Sequence, residues 1–315
     1  MGLLKVSAPP HISTKDDVST IMFDVILALM PAMIAGAYFF GYRAIMVVLV
    51  SVLSSAAFEQ LWNVLFKKKS TINDLSAVVS GILLGFNLPV TVPYWIPVVG
   101  SFFMIIIVKM CFGGLGNNFM NPALAGRAFL MASWPAIMTK GFVEPFTKLD
   151  WWNTADAVTS ATPLNSEFVG NIGVWDLFIG NVGGCIGETS ELALLIGGAY
   201  LIVRKIITWR IPVCYIGTVA VISAICGADV PFQLFAGGLM LGAIFMATDY
   251  TTSPVTPLGQ IIYGVGCGVM TCVIRFVGGY PEGVSYSILL MNVAAPLFDK
   301  LTPPRIYGKR SEKNA

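Results

Sequence analysis

Ten apolar runs follow one another along the chain, at roughly 18–40, 44–66, 73–89, 93–112, 120–138, 189–208, 211–227, 231–248, 258–277 and 283–302. Most are separated only by short connections rich in glycine, proline or charge. The hydrocarbon core of a bilayer, ~30 Å thick, is crossed by about 20 apolar residues of α-helix. The pattern therefore predicts an all-α polytopic membrane protein with about ten transmembrane helices. Runs 73–89 and 211–227 are the short ones. One long polar interval, 139–188, divides the series into two sets of five. Five is odd, so two repeats of five spans must have opposite orientations in the membrane. A short echo, NPALAGR at 121–127 against SPVTPLGQ at 253–260, agrees with such inverted repeats. The expected organisation is an N-terminal segment 1–17, a first half 18–138, a loop 139–188, a second half 189–302 and a tail 303–315.

Composition sharpens this picture. Hydrophobic residues make up 56% of the chain, charged residues only 11%, and mean hydropathy is +0.78. A soluble protein of this length needs more polar surface than that. The net charge of +2 and the lack of a basic patch give no sign of nucleic-acid binding. Cysteines at 111, 185, 214, 226, 267 and 272 fit no common zinc or iron–sulfur spacing. The lone His11 excludes a multi-histidine haem or metal site within this chain. The first 17 residues lack the charged and apolar regions of a cleavable signal peptide.

Lysine and arginine set the expected orientation. Lys67, Lys68, Lys69, Arg204, Lys205, Arg210, Arg305, Lys309 and Arg310 all fall on one side if both termini are cytoplasmic. Lys109 and Arg127 lie near the same side, and Arg275 is the exception. The 139–188 interval then faces outward.

Some polar residues sit where hydrocarbon penalises them. Asp24 and Glu59, inside the first two runs, are candidates for an ion path. Asp299 reads as a local cap or a partner of Lys300, and Asp249 closes the eighth run. The stretch FGGLGNNFMNPALAGRAF (112–129) offers the amides of Asn117, Asn118 and Asn121, with Pro122 suited to a first helical turn. NVGGCIGETS (181–190) is a second irregular corner, in which Thr189 or Ser190 is placed to cap the sixth run.

The outward interval contains DWWNTADAVTSATPLN (150–165). Its segment DAVTSAT (156–162) resembles the Asp-x-x-Ser/Thr-Gly-Ala-Thr site at which a flavin transferase attaches FMN to membrane subunits of the RnfD/NqrB family. Further blocks carry the same resemblance: SAPPHIS (7–13), KMCFGGLGNNFMNPALAGRAF (109–129), GETSELALLIGG (187–198), FMATDYTTSPVTPLGQIIYG (245–264) and GGYPEGVSYSILLMN (278–292). Together they cover nearly the whole chain, and the short N-terminus favours the Rnf branch.

The resemblance implies covalent FMN, held by a phosphoester on Thr162, with Asp156, Thr159, Ser160 and Ala161 completing the attachment motif. Ser160 stands where the family usually has glycine. Small neighbours leave the hydroxyl approachable, and Pro163 favours extended backbone at Thr162. Trp151 and Trp152 suit interfacial anchoring or stacking on the flavin, and Lys140 or Lys148 would offset its phosphate. A second, noncovalent flavin (riboflavin) is implied nearer the cytoplasm, where the 117–121 and 248–256 turns are candidates that include Asp249.

The activity implied is that of a subunit in an ion-translocating ferredoxin:NAD oxidoreductase of the bacterial or archaeal cytoplasmic membrane, coupled to Na⁺ or H⁺. Its expected partners are the Rnf subunits A, B, C, E and G, the flavin transferase and membrane lipid. The alternatives are a subunit of an NADH:quinone reductase, a non-redox channel or transporter built on inverted repeats, and a scaffold for redox partners.

Overall fold

The structure, a computed structural model, describes residues 17–147, 173–278 and 283–303, apart from the Lys140 side chain. The FMN-type motif, Trp151, Trp152, Lys148 and both chain ends lie outside the described residues.

Each of the ten apolar runs contains helix. The helices are α1 (Val18–Phe40), α2 (Tyr42–Leu65), α3 (Ser76–Phe86), α4 (Trp95–Met110), α5 (Pro122–Ser133), α6 (Pro135–Lys140) and α7 (Val174–Ile179). The second half holds α8 (Glu191–Val203), α9 (Arg210–Ile225), α10 (Val230–Phe235), α11 (Leu239–Leu241), α12 (Pro257–Val277) and α13 (Val284–Leu301). Among the described residues, α1, α2 and α12 are by themselves long and apolar enough to cross a membrane. Apolar side chains such as Ile34, Leu53, Val221 and Val277 project outward from the bundle, as a lipid-facing surface requires.

Three runs are broken, each for a local reason. The third run is helical for only the 11 residues of α3, about 17 Å at 1.5 Å per residue. It ends at Asn87, and Pro89 cannot extend it. The fifth run divides at Trp134, because Pro135 starts a new helix. The eighth divides at Gly237, whose φ of 74° suits glycine, and then resumes as α11 and a π-helical turn, Gly242–Met246. The last eight residues of α4, Phe103–Met110, are π-helical as well.

Irregular backbone inside a membrane protein has to be satisfied by other protein groups. Residues 86–92 are buried apart from the partly exposed Thr91, and their carbonyls find partners. Arg43 of α2 donates from Nε to the Val90 carbonyl at 2.9 Å and from a terminal nitrogen to Val92 at 3.3 Å. The amides of Ile186 and Gly187 donate to Leu88 and Phe86 at 3.2 and 2.9 Å. The chain at 185–190 thus lies inside the bundle, fully buried, rather than over its surface.

Within the halves, α2 packs on α3 and α4, and α9 packs on α12. Between them, α1 packs on α8 and α5 on α13, while Asn87 reaches the Met246 sulfur at 3.7 Å. Each of these three contacts joins a run to the one five places later. The α1–α8 approach depends on Gly197, where a Cβ would stand 2.0 Å from the Ala28 carbonyl oxygen.

Arg275, the exception to the charge pattern, is accounted for by protein contacts. Its guanidinium donates to the Gln233 carbonyl and side chain at 2.6 and 3.2 Å and to the Ala236 carbonyl at 3.1 Å. It closes the end of α10, so its position reports a helix cap rather than membrane orientation. Asp299 also caps: it accepts from the amides of Val255 and Thr256 at 3.0 and 3.1 Å, ahead of α12.

Candidate functional site

A cavity opens between the starts of α1, α3 and α5 and the turn after the π-helical segment. Asn121 builds one wall. Its side-chain oxygen accepts from the amides of Ala123 and Leu124 at 3.0 and 3.3 Å, capping α5 with Pro122 as the first helical residue. Its amide nitrogen donates to the Met246 carbonyl at 3.2 Å. One side chain thereby fixes the first half against the second at the edge of the cavity.

Asn118 lies on the same wall and is buried, and its side-chain oxygen has no hydrogen-bond partner. A buried acceptor left unmade costs roughly 1–3 kcal/mol, so this atom is suited to a ligand donor. Asn117 is exposed and does not line the cavity. The three asparagines of the 117–121 turn therefore separate into one cap, one unmet acceptor and one surface residue.

The opposite wall carries Asp249. Its carboxylate accepts from the Thr251 hydroxyl at 3.0 Å and the Thr252 hydroxyl at 3.4 Å, ordering the turn that follows the eighth run. Lys109 lines the cavity from the end of α4, donating to Ser76 Oγ and to Glu59 Oε2, both at 2.6 Å. Apolar side chains, among them Met22, Leu83, Ile207 and Phe245, make up the rest. An apolar slot with a few converging polar groups suits a flat heteroaromatic ligand with a polar edge.

The two ion-path candidates sit in ion pairs. Asp24 accepts from Arg204 at 2.8 Å and from the Tyr200 hydroxyl at 2.8 Å, tying α1 to α8. Glu59 accepts from Lys109 at 2.6 Å and from the Thr71 hydroxyl at 2.5 Å. Asp24 and Arg204 also line a second recess with Lys205 and Tyr250.

The sequence reading missed a polar junction in the bundle interior. Arg127 of α5 donates to Glu188 at 2.7 Å and to the Asn87 side-chain oxygen at 2.6 Å. Arginine inside an apolar run signals that a partner exists, but partners 40 and 61 residues away leave no local trace. In the 181–190 corner, Ser190 is the cap, accepting from the Ala193 amide at 3.4 Å.

Apolar helices, interrupted spans whose backbone is satisfied from within, and a polar-edged cavity shared by two halves define an all-α membrane protein with an internal cavity. Residues 5–308 match the NQR2, RnfD, RnfE family, and the chain belongs to that family. It is 55% identical over 311 residues to the D subunit of the Na(+)-translocating ferredoxin:NAD(+) oxidoreductase complex of Acetobacterium woodii, covering 97% of this chain and 95% of that one. It is 42% identical over 328 residues to the D subunit of the proton-translocating ferredoxin:NAD(+) oxidoreductase complex of Clostridium ljungdahlii, covering 98% and 97%. The D subunit of the ion-translocating oxidoreductase complex of Alcanivorax borkumensis is 37% identical over 338 residues, covering 98% of each.

Proposed function

We propose that this chain is the D subunit of an ion-translocating ferredoxin:NAD oxidoreductase, carrying FMN covalently on Thr162 and a second flavin, riboflavin, in the cavity at Asn118. The unmet Asn118 oxygen in an apolar slot with converging polar groups is the observation that carries the second site. The DAVTSAT motif at 156–162, within a family match spanning nearly the whole chain, supports the first. When bound, flavin supplies one- and two-electron chemistry, and the protein supplies its place and polarity.

In this reading Asn118 accepts from an N–H on the ring's polar edge. Asn121 holds the slot's width by bridging α5 to Met246. Asp249 keeps the facing turn ordered, and Lys109 brings a positive charge to the rim. Apolar side chains on both faces exclude water. Asp24 and Glu59 act as counter-ions that hold Arg204 and Lys109 in place. The halves are inverted repeats, a reading supported by contacts that pair the first, third and fifth runs with the sixth, eighth and tenth. Both termini are cytoplasmic, and the part of the 139–188 interval that carries the DAVTSAT motif meets the partner subunit on the outer side.

The reading is tested on the intact complex, purified from cells that contain the flavin transferase. In a denaturing gel the band of this subunit should fluoresce, and Thr162→Ala should darken it. Acid precipitation should release riboflavin from both proteins. A dark wild-type band rules out the covalent site, and absence of releasable riboflavin rules out the cavity assignment.

A further inference from the structure

Among the described residues, the buried carboxylates are Asp24, Glu59, Glu188 and Glu191. The first three each meet a cation: Arg204 at 2.8 Å, Lys109 at 2.6 Å and Arg127 at 2.7 Å. Glu191, the first residue of α8, is 0% exposed, and neither of its carboxyl oxygens has a hydrogen-bond partner.

The charged groups near enough to act on Glu191 are Glu188 and Arg275. Neither neutralises it. Glu188 carries the same sign and is engaged by Arg127. Arg275 makes its hydrogen bonds to the Gln233 and Ala236 oxygens and none to Glu191, which it reaches only through its charge. An anionic carboxylate without a hydrogen-bond partner in such surroundings bears a desolvation cost that one cation at a distance, opposed by the Glu188 charge, offsets only in part. Its charge is removed either by a proton or by a bound alkali cation.

We propose that Glu191 is a cation-exchanging carboxyl of the ion-translocating machinery, loaded with a proton or a sodium ion at rest. This rests on reading the chain as part of an ion-translocating complex. It places the exchange site at the start of α8, next to the buried 185–190 segment, and not at Asp24 or Glu59. Those two carboxylates can release their charge only by breaking an ion pair. Glu191 has no ion pair to break, so loading and unloading it leaves the neighbouring contacts of α5 and α12 in place.

The test uses the intact complex in membranes and dicyclohexylcarbodiimide, an apolar reagent that adds to a carboxyl once it has taken up a proton. Mass spectrometry of the digested subunit should find the adduct on Glu191 and not on Asp24, Glu59 or Glu188. If sodium is the ion, labelling at fixed pH slows about elevenfold at a sodium concentration ten times its Kd, by simple competition. If the proton is the ion, labelling is indifferent to sodium and falls as pH rises. An unlabelled Glu191 overturns the proposal.

As a second measurement, E191Q complex in sealed vesicles should move fewer ions per electron transferred, while E191D should recover the adduct. Wild-type ion-to-electron stoichiometry in E191Q also overturns it. The adduct is read on Glu191 itself, so a failure of the flavin assignment leaves this result unaffected, and a missing adduct leaves the flavin bands unaffected.

Discussion

Arg127 donates to Glu188 across 2.7 Å, with both side chains almost completely buried. The pair joins α5 of the first half to the segment that leads into α8. Asn87, at the broken end of the third run, shares the same guanidinium nitrogen at 2.6 Å. Two irregular segments, one after α3 and one before α8, therefore meet on one arginine of α5. Replacing Arg127 by glutamine leaves a buried carboxylate uncompensated, which costs about 3–5 kcal/mol. The expected result is loss of assembled complex, or a clear fall in its thermal midpoint by scanning fluorimetry. Pairing it with Glu188→Gln should recover part of that loss, since the stranded charge is then removed.

Asn118→Ala should release the noncovalent flavin and spare the covalent one. The readout is the ratio of acid-extractable to gel-retained flavin. Loss of one hydrogen bond to a bound ligand, about 0.5–1.5 kcal/mol, weakens binding roughly 2- to 13-fold. Asn117→Ala, on the exposed side of the same turn, should leave the ratio at the wild-type value.

Ser160→Gly restores the glycine that the family usually has in the attachment motif. In-gel flavin fluorescence per mole of subunit should stay at the wild-type level, because serine and glycine are both small beside the Thr162 hydroxyl.

Glu59→Gln keeps the shape of the α2 side chain but removes the charge facing Lys109. An unpaired buried ammonium should destabilise the subunit by several kcal/mol. Ion transport, normalised to electron flux in the protein that does assemble, should remain near wild type. A selective loss of ion transport would place Glu59 on the path after all.

Gly197→Val should separate α1 from α8, since even a Cβ would stand 2.0 Å from the Ala28 carbonyl oxygen. Over-packing of this kind typically costs about 1–3 kcal/mol, and it should appear as reduced yield in detergent.

Hydropathy alone located the ten runs that contain helix, because the bilayer imposes the same length and polarity on each of them. Hydropathy could not distinguish an unbroken helix from one that stops midway. The third and eighth runs are as apolar where they are coil as where they are helix, since Leu88 and Ala236 are buried by protein outside any helix. Asn121 was legible as a cap from the proline that follows it. The unmet oxygen of Asn118, against the exposure of Asn117, depends on how one turn folds. Glu59 and Lys109 were each visible as costly residues; that they meet is a matter of how α2 and α4 pack. Glu191 was hidden for a different reason: at a helix start, in GETSEL, an acidic residue looks like an ordinary solvated first-turn charge.

The pairing of α1 with α8 bears on how the chain is made. Helix α1 leaves the ribosome well before its main neighbour, with its ion-pair partner Arg204 and its close-packing glycine about 180 residues downstream. Until those residues are synthesised, Asp24 faces lipid or translocon without its cation, and the closest contact surface of α1 is empty. Membrane insertion of α1 and its folding are thus separate events, and the bundle closes only after the second half has begun to enter the bilayer. A truncation ending before α8 should therefore be inserted normally and degraded as an unfinished protein.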